Sequence, residues 1–219
     1  MFIGFLIFFS LILAVEIYFL SGVKTFVRDF SPQRKHIILY IAYIFAVQSK
    51  YDSVLYYNRL GLELAKSKRD TFSIGVSLFN IGIAYRFMSD YENAVVYTLE
   101  GAKLLEGKGY TNIEASLYDG LQVLYMSLAQ YDQAIYYGEK AVSVGRILKD
   151  QNPLAVALNN LSLSYMEVDR LDKAKVVLGE ALTISQTIEN KSVEGSALNN
   201  LADIAIREGN PELLKGYAE

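Results

Sequence analysis

Four stretches of the chain decide its fold: YDSVLYYNRLGLELA from Tyr51, YENAVVYTLEGAKLL from Tyr91, YDQAIYYGEKAVSVG from Tyr131 and LDKAKVVLGEALTIS from Leu171. Each opens with a large apolar residue followed by an acid. Each starts 40 residues after the one before. Upstream of them lie IILYIAYIF, SLFNIGIAY, SLYDGLQVLY and ALNNLSLSY, and a fifth copy, ALNNLADIA, precedes Pro211 and Glu212 at the same spacing. Apolar positions 1, 4, 5 and 8 of each upstream segment share one face of a helix, as do positions 1, 4 and 8 of each downstream one. Every copy therefore predicts a pair of amphipathic helices. One pair cannot bury its apolar face alone, so neighbouring copies must stack and share a continuous core.

The spacing predicts helices over 36–48 and 51–67, 75–88 and 91–106, 115–128 and 131–147, 155–168 and 171–187, 195–208 and 211–219. The turns SKYD, SDYE, AQYD, DRLD and GNPE put an acid in the first turn of each second helix, where the helix dipole favours it. Pro211 suits a first-turn position.

Residue by residue, the pattern resembles the tetratricopeptide repeat. The first large apolar position is Ile38, Leu78, Tyr118, Leu158 and Leu198, and the Leu position is Ile41, Ile81, Leu121, Leu161 and Leu201. The small position is Ala42, Gly82, Gln122, Ser162 and Ala202, and the aromatic is Phe45, Tyr85, Tyr125 and Tyr165, then Ala205. The small positions of the second helix are Val54, Ala94, Ala134 and Ala174, then Gly61, Gly101, Ala141 and Ala181. The sequence departs from the pattern at Gln122 and in the last copy. The resemblance implies an all-α, right-handed superhelical solenoid of antiparallel helix pairs. It assigns residues 35–219 to five repeats starting near 35, 75, 115, 155 and 195, the last incomplete. Against the usual repeat of about 34 residues, the extra residues are expected to lengthen the second helix and its exit loop.

The N-terminus reads differently. In MFIGFLIFFSLILAVEIYFL only Gly4, Ser10 and Glu16 fall outside the apolar set. About twenty apolar residues match the hydrocarbon thickness of a bilayer. Some fifteen of them at roughly −0.3 to −0.6 kcal/mol each outweigh one acid at about +3 kcal/mol. Lys24, Arg28, Arg34 and Lys35 follow, with no Lys or Arg before. Residues 1–22 are thus expected to be a membrane anchor or an N-terminal apolar helix, and 23–34 a basic linker. The positive-inside rule then places the repeats in the cytoplasm. The register also runs backward through Leu11, Ala14 and Ser21, so stacking of this helix on the array stays open beside spanning. Residues 1–45 further resemble the membrane-entry segment of bacterial metallophosphoesterases. That activity needs several His and Asp ligands, and the chain has one histidine, so it is not expected here.

Composition excludes much chemistry. The 219 residues are 52% hydrophobic and 21% charged, with net charge −3, no Cys and no Trp. Thiolate metal sites and cysteine nucleophiles are impossible, and one His removes multi-His sites. A pI near 5.4 argues against nucleic-acid binding, and the recurring Tyr56, Tyr57, Tyr97, Tyr136 and Tyr137 read as core or groove wall rather than a base-stacking platform. His36, beside Arg34 and Lys35, reads as solvated or interfacial. No phosphate-binding or nucleophile-elbow motif occurs. No enzyme activity, cofactor or metal is expected.

A binding surface remains. In the tetratricopeptide family, first helices line the concave side of the superhelix, and peptides lie along it. The resemblance implies that Asn80, Asn159, Asn160, Asn199 and Asn200 face that groove. An amide offers both a donor and an acceptor to a peptide backbone. With equal weight, these Asn side chains bond neighbouring helices. Arg86, Tyr118 and Asp119 are expected to flank the groove, with Glu167, Asp203 and Arg207 on weaker grounds. The expected partner is a protein or peptide. Self-association through the uncapped C-terminal repeat and membrane contact through residues 1–20 are further expectations. The alternative function is the sensory portion of a larger bacterial signalling protein whose output domain is missing.

Overall fold

The computed structural model describes residues 51–210. The expected anchor over 1–22, the linker, the helices at 36–48 and 211–219, the phosphoesterase resemblance and the self-association surface fall wholly or largely outside them. Eight α-helices and no strand occur among the described residues. They are α1 (Tyr51–Ser67), α2 (Thr71–Phe87), α3 (Tyr91–Leu105), α4 (Thr111–Ser127), α5 (Tyr131–Gly145), α6 (Asn152–Glu167), α7 (Leu171–Thr187) and α8 (Lys191–Arg207). The all-α solenoid expected from the repeat is therefore the fold observed.

The second helices begin where the Tyr-Asp, Tyr-Glu and Leu-Asp steps put them. The first helices begin three or four residues earlier than expected. At α2 and α8 a side-chain cap marks the start, whereas Tyr110 and Gln151 before α4 and α6 make no side-chain cap bond. Asp70 accepts from the Ser73 backbone N–H at 3.1 Å and the Ser73 hydroxyl at 2.8 Å. Asn190 accepts from the N–H groups of Ser192 and Val193, both at 3.1 Å. Side-chain caps of this kind fix a helix start. First and second helices are of similar length, and the exit loops before α4 (106–110) and α6 (146–151) are longer than those before α2 (68–70) and α8 (188–190).

Most helices close with one repeated device. Arg69, Ser89, Ala129, Asp169, Glu189 and Gly209 all have φ between 54° and 66°. The next residue's N–H reaches back to a carbonyl five residues earlier, as in Asp90 to Tyr85 at 2.9 Å and Gln130 to Tyr125 at 2.9 Å. This is the Schellman closure. Its left-handed residue is usually Gly; here five of the six are not, and each carries the Cβ penalty. That is why composition alone hides these turns.

Each helix packs on the next, and the first helices α2, α4, α6 and α8 also contact one another in series. The second helices do not approach each other as closely. A stack whose two rows differ in spacing curves toward the closer row, so the first helices line the inside. The core runs between the rows. Leu78, Ile81, Leu117, Leu121, Leu158 and Leu178 are almost wholly buried. Tyrosines stack from first helix to second: Tyr85 on Tyr97 with centroids at 5.4 Å, Tyr125 on Tyr137 at 5.5 Å. Of the recurring tyrosines of the second helices, Tyr97 and Tyr137 pack between helices and Tyr57 is buried, whereas Tyr56 and Tyr136 are about half exposed.

Gln122, the departure from the repeat pattern, is accommodated by its neighbour. It is fully buried and donates its amide to the Ser164 hydroxyl at 3.0 Å. Opposite lies Gly138, where a Cβ would come within 2.8 Å of the Gln122 amide. In the preceding repeat the sizes are reversed, with Gly82 facing Thr98. Large and small residues have exchanged helices between the two repeats.

Candidate functional site

The inner row is built from one face of each first helix. On α2, Phe79, Ile83 and Arg86 follow at helical spacing, and on α4 so do Ser116, Asp119, Gly120 and Val123. With Pro153 and Val156 of α6 they line an open cavity of about 360 Å³. Arg86 and Asp119, both singled out from the sequence, are therefore brought to one place.

Asp119 is half-buried and accepts a hydrogen bond from the Asn160 amide at 2.8 Å. Desolvation pushes its carboxyl above the ordinary aspartate range. The Asn160 bond and the Arg86 charge pull in the opposite direction without cancelling that rise. Arg86 itself lies over the Phe87 ring, 4.9 Å from its centroid.

The asparagines form a ladder between helices. Asn160 of α6 donates to Asp119 of α4, and Asn200 of α8 donates to Asn159 of α6 at 3.1 Å. Donor and acceptor are 41 residues apart in both. The amides of Asn160 and Asn200 thus hold neighbouring first helices together. Asn80 occupies the same position of α2 and is half-buried, while Asn199 is exposed on α8. At the remaining rung the donor position is Gly120 and the acceptor position is Phe79. A Cβ at Gly120 would lie 3.1 Å from the Phe79 ring.

Tyr118 does not flank the groove. It is buried toward the second helices, stacked near Tyr137 (centroids 6.2 Å) with the Lys140 ammonium 4.9 Å from its ring centroid. Burial, and then its hydrogen bond with Glu106, push its hydroxyl up to about 12. The physical reason is helical rotation: position 118 lies about 100° around the helix from Asp119. Its register, shared with the core residues Leu78 and Leu158, already carries that signal. Arg207 donates to the Met166 carbonyl at 3.1 Å and pairs with Asp203 at 3.0 Å, and Glu167 is exposed.

Sequence reasoning did not single out Gly120, Phe79, Ser116 or Val156. The available signal was Gly120 standing where Asn80, Asn160 and Asn200 stand in three of the other copies. Among the described residues, no cluster of His, Cys, Asp and Glu is placed to hold a metal ion, and no helix is long and apolar enough to cross a membrane.

Asp119 also gives a pH test. A carboxyl whose pKa is raised on folding binds more protons folded than unfolded, so stability falls as pH rises through the interval above the ordinary value of 3.8. Asp119→Asn keeps an acceptor for Asn160 and removes the charge. Its melting temperature is expected to exceed that of the parent at neutral pH, with the gap closing as the solution is acidified below that interval. A gap of opposite sign, or one indifferent to pH, would contradict this environment for Asp119.

A tetratricopeptide repeat family model matches residues 154–191, which span nearly all of α6, α7 and the start of α8. No curated protein matches the chain in sequence. Among solved structures, a kinesin light chain with nearly identical TPR-like repeats from Podosopora anserina superposes with TM-score 0.71 at 14% identity, over 87% of this chain and 96% of that one. A Rap protein complexed with Competence and Sporulation Factor gives TM-score 0.70 at 13% identity, over 86% of this chain and 52% of that one. A signal transduction ATPase with a tetratricopeptide repeat sensor, from Pyrococcus horikoshii, gives TM-score 0.69 at 23% identity, over 80% of this chain and 29% of that one. The tetratricopeptide resemblance thus holds, and the described residues have the fold of the TPR-like repeat solenoids.

Proposed function

We propose that the chain is a protein- or peptide-binding scaffold that receives its partner along the inner row of first helices. The observation that carries this reading is the open cavity between α2, α4 and α6, where Arg86 and Asp119 meet. A carboxylate and a guanidinium beside apolar walls suit recognition by hydrogen bonds and burial. The Rap protein of the same fold, with a factor bound, supports the reading. Asn80 and Asn199 extend the surface on either side. Asn159, Asn160 and Asn200 serve it by holding the helices in register.

A second reading is favoured by the sensor likeness: the array is the sensory part of a larger signalling protein, and this chain spans 29% of the ATPase it superposes on. Both readings use the same surface. Residues 1–22 tether the array to a membrane in either case, a reading that rests on their almost continuous apolar sequence and basic flank.

The experiment is affinity capture by the full chain from membrane extracts, with the captured partner identified and its affinity measured. Arg86→Ala/Asp119→Ala is expected to weaken that affinity roughly 10- to 100-fold while the chain still melts cooperatively, since removing polar contacts of this kind costs about 1.4–3 kcal/mol. Unchanged affinity would reject the inner row. Deleting residues 1–22 is expected to move the chain from the membrane to the soluble fraction; if the undeleted chain is already soluble without detergent, the tether is refuted.

A further inference from the structure

The ladder between first helices has a gap, and the gap coincides with the cavity. Where Asn160 and Asn200 reach back to the preceding helix, Gly120 offers no side chain, and Phe79 offers an aromatic face where Asp119 and Asn159 offer acceptors. The Phe79 ring packs where a Gly120 side chain would go, 3.1 Å from a Cβ placed there, and with Gly120 it floors a notch walled by Ile83, Val123 and Val156. The cavity, about 360 Å³, sits at the lower end of the usual size of small-ligand sites, about 300–1,000 Å³. It holds one large side chain together with the main chain beside it.

Asp119 and Arg86 belong to the same cavity. Asp119 Oδ1 is taken by Asn160, which leaves Oδ2 to accept. The two charges cancel, so the site complements a neutral group that carries both a donor and an acceptor. A peptide bond is such a group; a hydrocarbon or a net ion is not.

We propose that the Gly120 notch anchors one large apolar side chain of an extended peptide segment, with a main-chain N–H of that segment donated to Asp119 and a main-chain carbonyl accepting from Arg86. The inference rests on the inner-row reading above and names which partner feature it selects. Elsewhere the row recognises the segment's main chain, and selectivity is concentrated at one residue. A side chain at Gly120, such as Asn80, Asn160 and Asn200 place at the equivalent position of their own helices, would have to displace the Phe79 ring that floors the notch.

The test pans a positional-scanning library of short capped peptides against the full chain in detergent micelles. One position is expected to select Leu, Met, Phe or Tyr, with its neighbours tolerant. Gly120→Leu is expected to weaken the selected peptide by about tenfold or more, as loss of an anchor pocket does. Gly179→Leu, on open surface of α7 where an added Cβ meets nothing within 4 Å, is expected to leave it unchanged. Should Gly120→Leu lower the melting temperature, Ser116→Phe fills the notch from its exposed rim and is expected to give the same loss. Peptides that bind without an apolar position, or that ignore both fillings, overturn the notch and leave the inner-row reading intact. A library from which no peptide is retained overturns both.

Discussion

Leu158→Ala is expected to lower the unfolding free energy by about 2–5 kcal/mol, the cost of a buried Leu truncated in a core that cannot close over the void. Leu158 is completely buried on α6 and belongs to the cluster joining α3 through α8. The neighbouring Ala155, Ala157 and Leu161 are buried as well, so little side-chain movement is available to refill the space. In a stacked array each repeat is supported only by its neighbours. The loss is therefore expected to split the denaturation of the full chain into two transitions rather than shift one. Urea denaturation followed by circular dichroism reads this directly. A single transition displaced by under about 1 kcal/mol, against the range cited for such truncations, would contradict the shared core.

Gly138→Thr is expected to cost about 1–3 kcal/mol, the usual range for overpacking. Its new Cβ would press on the Gln122 amide at 2.8 Å and on Leu161 at 2.9 Å. Adding Gln122→Gly to the same chain rebuilds in α4 and α5 the Gly and Thr arrangement already present at Gly82 and Thr98. The double variant is expected to recover most of the loss, which makes the two changes strongly non-additive. It also removes a buried amide oxygen that lacks a protein partner. Additive losses in the denaturation midpoints would refute the exchange of volumes between the two helices.

That pair shows how far the sequence is legible. The repeat register yields the helix pairs because apolar spacing is a direct record of buried faces. The second helices α1 and α7 start and stop at the expected residues, since a Tyr-Asp or Leu-Asp step marks their first turn and the packing positions run to their last. The first helices start earlier than apolar spacing implies; at α2 and α8 the caps Asp70 and Asn190 precede the first buried position by three residues. Gln122 looks like a defect when each repeat is compared with the pattern rather than with its own partner helix. Gly138 is the compensating residue.

The candidate site is half legible. Arg86 and Asp119 are found by register and meet in one cavity. Tyr118 was expected in the groove although it shares its register with Leu78 and Leu158, and its burial follows from that register. The asparagines stand out as a row, but a row of amides looks the same in sequence whether it binds a ligand or the next helix. Only the distances separate the two, and at Asn160 and Asn200 they give the next helix. Gly120 carries its meaning through what it lacks, which a search for chemical groups passes over.

The measurement that tests the binding account most directly is site-specific photo-crosslinking. Benzoylphenylalanine is placed at Asn80 or Asn199 on the first helices, and at Val96 or Val176 on the outward face of the second. Val96 and Val176 are 59% and 72% exposed, so the outer positions are no less accessible. The captured partner is expected to crosslink from Asn80 and Asn199 and not from the outer valines. Crosslinks confined to Val96 and Val176 would place the partner on the opposite face and contradict binding along the inner row.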